Sequence, residues 1–399
     1  MTIADYGASQ GRNSMGPMGR AIDLVRERDA DRPVQVVHTD LPSNDFASLF
    51  TLLADDPASY LRGRGEVHPL AVGRSYFDAV LPAGSVDLGW SSNALHWMSH
   101  SPIEVDDHAW ATFSACAQAR SAVDAVLADD WLRFLRARSR ELRPGGRVVC
   151  QFMGRGEEQQ GFEWMADHFW QAILALRAAG QLTEAETRRM TAPSAGRSPE
   201  QIAAPFAAGL VPELALDHVS RFVSPDPFWD EYRETGDAAR LGARWAAMMR
   251  AANGPNFAAA LGSGLDPARD RDALLDALTQ ELAWRVAAIR SAAFRGTCWC
   301  RSASAAEFQA KNSASRTPHT ATTHDWKAHS IGAGASRRPM NSRPTSRTLA
   351  KATTRITAPE VPSTVVSNDS SVAATSTAQT RTARLARIEG ILESFPYKR

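Results

Sequence analysis

Along the first 150 positions, short apolar runs of strand type alternate with longer stretches of helical spacing. Residues 2–5 read as the end of a strand, Gly7 and Gly11 as a flexible turn, and residues 18–25 as a helix. Residues 33–38 form an apolar run of buried-strand type, ending in Thr39, Asp40, Leu41 and Pro42, before a helix over 44–53. A third strand, 68–72, runs into Gly73, Arg74, Ser75, Tyr76 and Phe77. Val86, Leu88 and Trp90 then alternate with Asp87 and Gly89. The polar Ser91, Ser92 and Asn93 break that pattern and Leu95, His96, Trp97 and Met98 resume it, which predicts strand, turn and short helix. Residues 109–128 are alanine-rich and helical. Residues 130–142 are amphipathic, with Trp131, Phe134, Leu135 and Leu142 on one face and Arg133, Arg136, Arg138 and Arg140 read as a solvated face. Arg143, Pro144, Gly145 and Gly146 stop that helix, and 148–152 is the next strand. This alternation predicts an α/β fold with a mostly parallel, doubly wound sheet.

Beyond residue 154 the spacing turns helical over 162–176, 183–190, 200–208, 237–252 and 270–289, with one strand, 214–223, returning to the sheet. The expected organisation is a core over 1–153, a helical cap over 154–213, the returning strand, and cap and core helices over 224–294. Trp245, Met248 and Met249 read as core more than as pocket. From about residue 295, Ser, Thr, Ala and Arg dominate, so 295–399 reads as a disordered tail.

Charge sharpens that boundary. The whole chain is +1, but residues 296–399 hold 15 Lys and Arg against 6 Asp and Glu, leaving a basic tail of about +9 and an acidic body of about −8. Such a tail can touch nucleic-acid phosphates nonspecifically but offers no base readout. Four cysteines are too few for a disulfide scaffold and point to a reducing, cytoplasmic setting. Cys298 and Cys300, with His319, His324 and His329 beyond, invite a zinc reading, but CxC is shorter than the usual ligand spacing, so no metal is assigned. No apolar run of about 18 residues and no basic-then-apolar leader occur, so neither a membrane span nor export is expected.

The candidate chemistry lies at strand ends. The strand, glycine turn and helix at the start allow backbone N–H groups to approach a ligand, although the spacing is not GxGxxG. Asp40 stands where a nucleoside-binding sheet places the carboxylate for ribose hydroxyls; the alternative is a helix cap, which Ser43 or Asp45 would serve equally well. Ser75 and Tyr76 offer a hydroxyl and an aromatic face to an adenine ring, or else pack as a loop. Trp97 offers an indole N–H and His96 a second polar group, or both pack under a loop.

Five ordered blocks, IADYGASQGRNSM, HTDLPSNDFASLF, VGRSYF, GWSSNALHWMS and DWLRFLRARSRELRPGGRVVCQFMGR, resemble the SABATH family of S-adenosylmethionine-dependent carboxyl methyltransferases, plant enzymes with bacterial relatives. The resemblance covers roughly residues 3–289. It implies a Rossmann-like class I methyltransferase core with a helical cap, S-adenosyl-L-methionine as cofactor, and methyl transfer to a small or hydrophobic carboxylic acid, giving a methyl ester; it allows a homodimer. By the resemblance, Asp5, Gly7 and Asn13 line the methionine part of the cofactor, and Asp40 holds the ribose with Leu41 beside the adenine. Ser75 and Tyr76 close the adenine pocket, Tyr76 and Phe77 inverting the usual Phe-Tyr order, and Ser91 lies beside the cofactor. Trp97 bonds the substrate carboxylate, and His96 stands where members vary between His and Met. A carboxylic acid is already ionised at neutral pH, so no catalytic acid or base is expected. The family's upstream Ser and Gln and its closing strands have no counterpart in the sequence, which predicts a truncated start, a divergent end and little or no methyltransferase activity. The alternatives are N-methylation of a heterocycle, or an inactive remnant with a nucleic-acid-binding tail.

Overall fold

Val34, Val36 and Val37 are buried, as happens when a strand is covered on both faces by helices, and their strand lies one place in from the edge of the sheet. The computed structural model describes residues 1–156, 160–223, 225–262, 270–288 and 304–312. The chain runs β1 (Thr2–Tyr6), α1 (Met15–Arg26), β2 (Val34–Asp40), α2 (Phe46–Asp55), β3 (Val67–Gly73), β4 (Val86–Ser92), α3 (Ala117–Glu141) and β5 (Leu142–Met153). It continues through α4 (Glu163–Ala178), α5 (Glu184–Arg189), α6 (Pro199–Ala207), β6 (Leu214–Val223), α7 (Pro227–Thr235), α8 (Ala238–Gly262), α9 (Arg271–Ala287) and β7 (Ser304–Asn312). Among the described residues the sheet order is β3-β2-β1-β4-β5-β7-β6. The first five strands are parallel and β7 is antiparallel to both neighbours. The α/β, doubly wound sheet expected from the alternation is therefore present.

The strand order reverses between β1 and β4. Their register, Ile3 with Leu88 and Asp5 with Trp90, brings both carboxyl ends to the same edge, where doubly wound sheets bind ligands. Period-2 alternation sorts the side chains onto two faces. Ile3, Val36 and Trp90 pack against Met18 and Ile22 of α1 and Leu49 and Leu53 of α2. Ala4, Tyr6, Val148 and Phe152 pack against Trp131, Phe134 and Leu135 of α3. Phe134 stacks on Trp131 at 5.6 Å and meets Tyr6 edge-on at 6.0 Å; truncating so enclosed a ring costs about 3–5 kcal/mol. A separate core joins Phe169 and Trp170 of α4, Trp245, Met249 and Phe257 of α8, and Leu278 and Leu282 of α9. Trp245 and Met249 thus take the core role read for them.

Several elements differ from expectation. Residues 109–128 and 130–142 do not form two helices: α3 runs unbroken through Asp129 and Asp130, and residues 109–116 are loop with one short 3-10 turn. Residues 95–98 form a turn, not a short helix. Helix α7 was not anticipated, although Asp226 caps it, Pro227 opens it and Gly236 ends it in the left-handed region. Strand β7 lies in the stretch expected to be disordered; its backbone pairs with β5 and β6 on both sides. Cys298, Cys300, His319, His324, His329 and the tail beyond Asn312 lie outside the described residues. Among the described residues, no helix is long and apolar enough to cross a membrane.

Candidate functional site

Gly7 leaves β1 with φ +82°, and a Cβ there would stand 2.4 Å from the Cβ of Ala94. Only glycine lets the two strand ends approach so closely. The N–H groups of Gly7 and Ala8 both donate to Thr39 O, at 2.9 and 3.0 Å, pinning the turn to the end of β2. Ser9, itself in the left-handed region, donates its N–H to Asp40 Oδ2 at 2.7 Å, and Leu41 donates to Asp40 Oδ1 at 2.8 Å. Asn44 closes the arrangement by donating to Ser9 O at 2.9 Å. A carboxylate has about four acceptor positions, so Asp40 keeps capacity for ligand hydroxyls. Asp45 caps α2, accepting from Ser48 N–H, which frees Asp40 from that alternative duty. Leu41 is half exposed beside it.

Asp5 sits beneath this turn. Its Oδ2 accepts from Ser14 Oγ at 2.6 Å and from His38 Nδ1 at 2.8 Å, and His38 Nε2 meets the Tyr60 hydroxyl at 2.8 Å. All four side chains are buried, so the carboxylate ties β1 to the start of α1 while offering little surface to a ligand. Burial, then the Asp5 charge, raises the Tyr60 phenol far above its usual range, so it remains a donor. Asn13 stands exposed in the 3-10 turn Arg12–Ser14 that follows the glycine turn.

The third wall is the loop after β3. Ser75 is half-buried and accepts from Phe77 N–H at 3.3 Å. The Tyr76 ring lies 3.4 Å from the position a Gly7 Cβ would take, and its hydroxyl donates to Ala94 O at 3.0 Å. Arg138, expected on a solvated face, is instead fully buried and holds this loop. It donates to Tyr76 O and Asp78 O, each at 2.9 Å, pairs with Glu141 at 3.0 Å, and lies 3.9 Å over the Tyr6 ring. Glu141 accepts from Val80 and Leu81 N–H and from the Tyr6 hydroxyl. A buried ion pair is stable only when its remaining hydrogen-bonding capacity is met in this way.

The fourth wall is the turn after β4. Trp97 N–H donates to Ala94 O at 3.0 Å, Ala195 N–H to His96 O at 3.0 Å, and Met98 N–H to Pro193 O at 2.7 Å. Arg197, 1% exposed, donates to Leu95 O and, at 3.1 Å, to Leu127 O. These bonds consume the carbonyls a helix would need. Trp97 is half-buried, pairs by its backbone with Ser194, and its indole N–H has no partner among the described residues. Burial, then the Arg197 cation, pushes the His96 imidazole down to about 4, and its Nδ1 is sealed without a partner. His96 is therefore neutral at pH 7. Burial also draws Arg197 down to about 10, which still leaves it charged. Ser91 is fully buried and spends its hydroxyl on Tyr6 O at 2.8 Å, so it lies under the crevice floor.

Gly7, Asp40, Leu41, Tyr76, His96 and Trp97 thus meet around one switch point, with Asp5 and Ser91 beneath it, while Asn13 and Ser75 lie on the adjoining 3-10 turn and loop. Ser9, Asn44, Ala94, Glu141 and Arg197 were not singled out from the sequence. Glu141 follows Arg138 by three positions, a spacing that pairs them on one helix face, and was the one available signal.

A family model described as SAM dependent carboxyl methyltransferase matches residues 1–285. Among curated proteins, the chain is 32% identical over 226 residues to a probable jasmonic acid carboxyl methyltransferase 2 of Theobroma cacao, covering 51% of this chain and 60% of that one. It is 30% identical over 234 residues to jasmonate O-methyltransferase of Arabidopsis thaliana, covering 50% and 60%. The chain therefore spans about three fifths of the length of these relatives. Salicylate carboxymethyltransferase of Clarkia breweri is 25% identical over 254 residues, covering 59% and 67%. A solved structure, loganic acid methyltransferase with SAH, is similar in fold with a TM-score of 0.60 at 18% identity, over 79% of this chain and 85% of that one.

Proposed function

The chain belongs to the family of SAM-dependent carboxyl methyltransferases, and from that premise we propose that it methylates the carboxylate of a small or hydrophobic carboxylic acid, giving a methyl ester. The residues present fit the cofactor. Asp40 retains acceptor capacity for the ribose hydroxyls after taking two backbone N–H groups. Gly7 would let the chain turn sharply beneath the methionine part, with Asn13 on the following 3-10 turn, and Leu41, Ser75 and Tyr76 would line the adenine side. When bound, S-adenosylmethionine supplies an electrophilic methyl carbon: a carboxylate oxygen forms the new C–O bond as the C–S bond breaks, with no proton transferred.

What this chain does is hold the carboxylate. The observation that carries the reading is the Trp97 indole N–H, without a partner among the described residues, on a turn that touches the glycine turn through Ala94. The indole donates one hydrogen bond to a carboxylate oxygen, and neutral His96 stands beside it at 5.5 Å between ring centroids. Neutral donors orient the anion without quenching its nucleophilicity as an ion pair would. Correct orientation is worth about 7–11 kcal/mol at best. Because an anion and a sulfonium become neutral products, a site shielded from water favours the reaction. The contacts of the turn with Pro193, Ser194 and Ala195 lay the segment before α6 over it.

The test is incubation of the protein with methyl-labelled S-adenosylmethionine and salicylate, benzoate, jasmonate or indole-3-acetate, followed by extraction of base-labile labelled ester. Ester from at least one acid is expected. Binding of S-adenosylhomocysteine without ester from any acid would overturn the acceptor class, and absence of that binding would overturn the cofactor assignment.

A further inference from the structure

Ala94 is shared by both halves of the crevice. Its Cβ fills the space that Gly7 leaves empty, and its carbonyl accepts twice, from Trp97 N–H and from the Tyr76 hydroxyl, each at 3.0 Å. The next two carbonyls of the turn are held by other partners, Leu95 O by Arg197 and His96 O by Ala195 N–H. The Tyr76 hydroxyl thus ties the loop after β3 to the turn carrying Trp97. Tyr76 itself is firmly seated. Arg138 holds its carbonyl, and its ring meets Phe77 edge-on at 4.7 Å and Phe134 at 6.3 Å. Burial, reinforced by the Asp40 charge, raises the phenol above its usual range, so the hydroxyl stays a donor across the working pH range.

We propose that Tyr76 is a positioning residue that couples the two sites: a ligand packed on its ring steadies the hydroxyl on Ala94 O, and the doubly bonded carbonyl fixes Trp97 for the acceptor carboxylate. The inference rests on the cofactor and substrate assignments above and goes beyond them, because those require only that each site bind its own ligand. The physical basis is a common acceptor. Two donors on one carbonyl restrain its plane, so freedom lost by the Tyr76 side chain is also lost by the peptide that orients Trp97. Coupling of this kind is reciprocal: whatever factor the acid adds to cofactor affinity, the cofactor adds to acid affinity.

The experiment is calorimetric titration of S-adenosylhomocysteine, with and without saturating acid, into the full chain and into Tyr76→Phe, which removes one oxygen and keeps the ring. The acid used is whichever of salicylate, jasmonate and indole-3-acetate binds the unaltered chain. In that chain, acid is expected to tighten S-adenosylhomocysteine binding about five- to tenfold. In Tyr76→Phe the factor falls below about twofold, and the acid's KM rises about three- to tenfold, with the thermal midpoint showing that the variant is folded. An unchanged coupling factor in the variant, or no coupling in the unaltered chain, would refute the role of Tyr76. If the unaltered chain bound no S-adenosylhomocysteine, the cofactor assignment itself would fall, a result distinct from either.

Discussion

The two sides of the crevice, one proposed for the cofactor and one for the acceptor, are built in opposite ways. Gly7, Ser9, Thr39, Asp40, Leu41 and Asn44 lie within 44 residues of the start and fix one another mainly through backbone N–H groups and one carboxylate. The turn carrying Trp97 borrows its rigidity from afar: Arg197 reaches Leu95 across 102 positions, and Ala195, Pro193 and Tyr76 hold the rest. A site made of local backbone depends on two strands being side by side. One made of distant side chains depends on the packing of the whole body.

That contrast is sharpest where a distant support is removed. Arg197→Met should strip two buried carbonyls of their donor and cost about 2–5 kcal/mol of stability, read by chemical denaturation, since each buried acceptor left unsatisfied costs about 1–3 kcal/mol. A loss under about 1 kcal/mol would show that the turn stands without it. Gly7→Ala combines a strained φ with a 2.4 Å overlap and should cost about 2–4 kcal/mol, disturbing both sides because it strikes Ala94. Asp40→Ala should weaken S-adenosylhomocysteine at least about tenfold, a charge-assisted bond being worth about 1.5–3 kcal/mol, while leaving the acid's KM nearly unchanged. Equal affinity in the folded variant rules out the ribose role. Trp97→Phe should do the reverse, raising the acid's KM by about fivefold, with cofactor affinity kept.

The smallest effect is in pH. His96 is held well below its ordinary value, so between pH 6.5 and about 4 the unfolded chain takes up a proton there that the folded chain refuses. Its contribution to stability is complete above 6.5 and is lost progressively as pH falls toward 4. His108, whose imidazole is also lowered by burial, adds to the same slope. The thermal midpoint of His96→Met should therefore fall less over that window than the unaltered chain's. Identical slopes would mean that His96 is solvated.

The same contrast explains what could be read in advance. Strand ends announce themselves through period-2 alternation, so Asp40 at the end of β2 and Gly7 at the end of β1 were legible, as was the α/β alternation. The division into helices over 109–128 and 130–142 missed that Asp130 is buried inside the single helix α3 and accepts from Ser99 N–H at 2.7 Å. Residues 95–98 have helical spacing, but their carbonyls are claimed by Arg197, Ala195 and Tyr76-linked Ala94, contacts that no local pattern encodes. Arg138 was misjudged because helical periodicity marks a face without saying whether a loop will cover it. Strand β7 was hidden by composition, since pairing on both edges supplies the backbone bonds that its side chains do not advertise.

The chain of donors from Tyr60 through His38 to Asp5 carries a spectroscopic consequence. The proton between His38 Nδ1 and Asp5 is enclosed by side chains with 0% and 2% exposure and lies in a 2.8 Å bond. Shielded from water, such a ring proton exchanges slowly enough to be followed by magnetic resonance. Because Asp5 also grips Ser14 at the close of the glycine turn, that single resonance is a built-in gauge of the turn, displaced whenever a ligand settles above it.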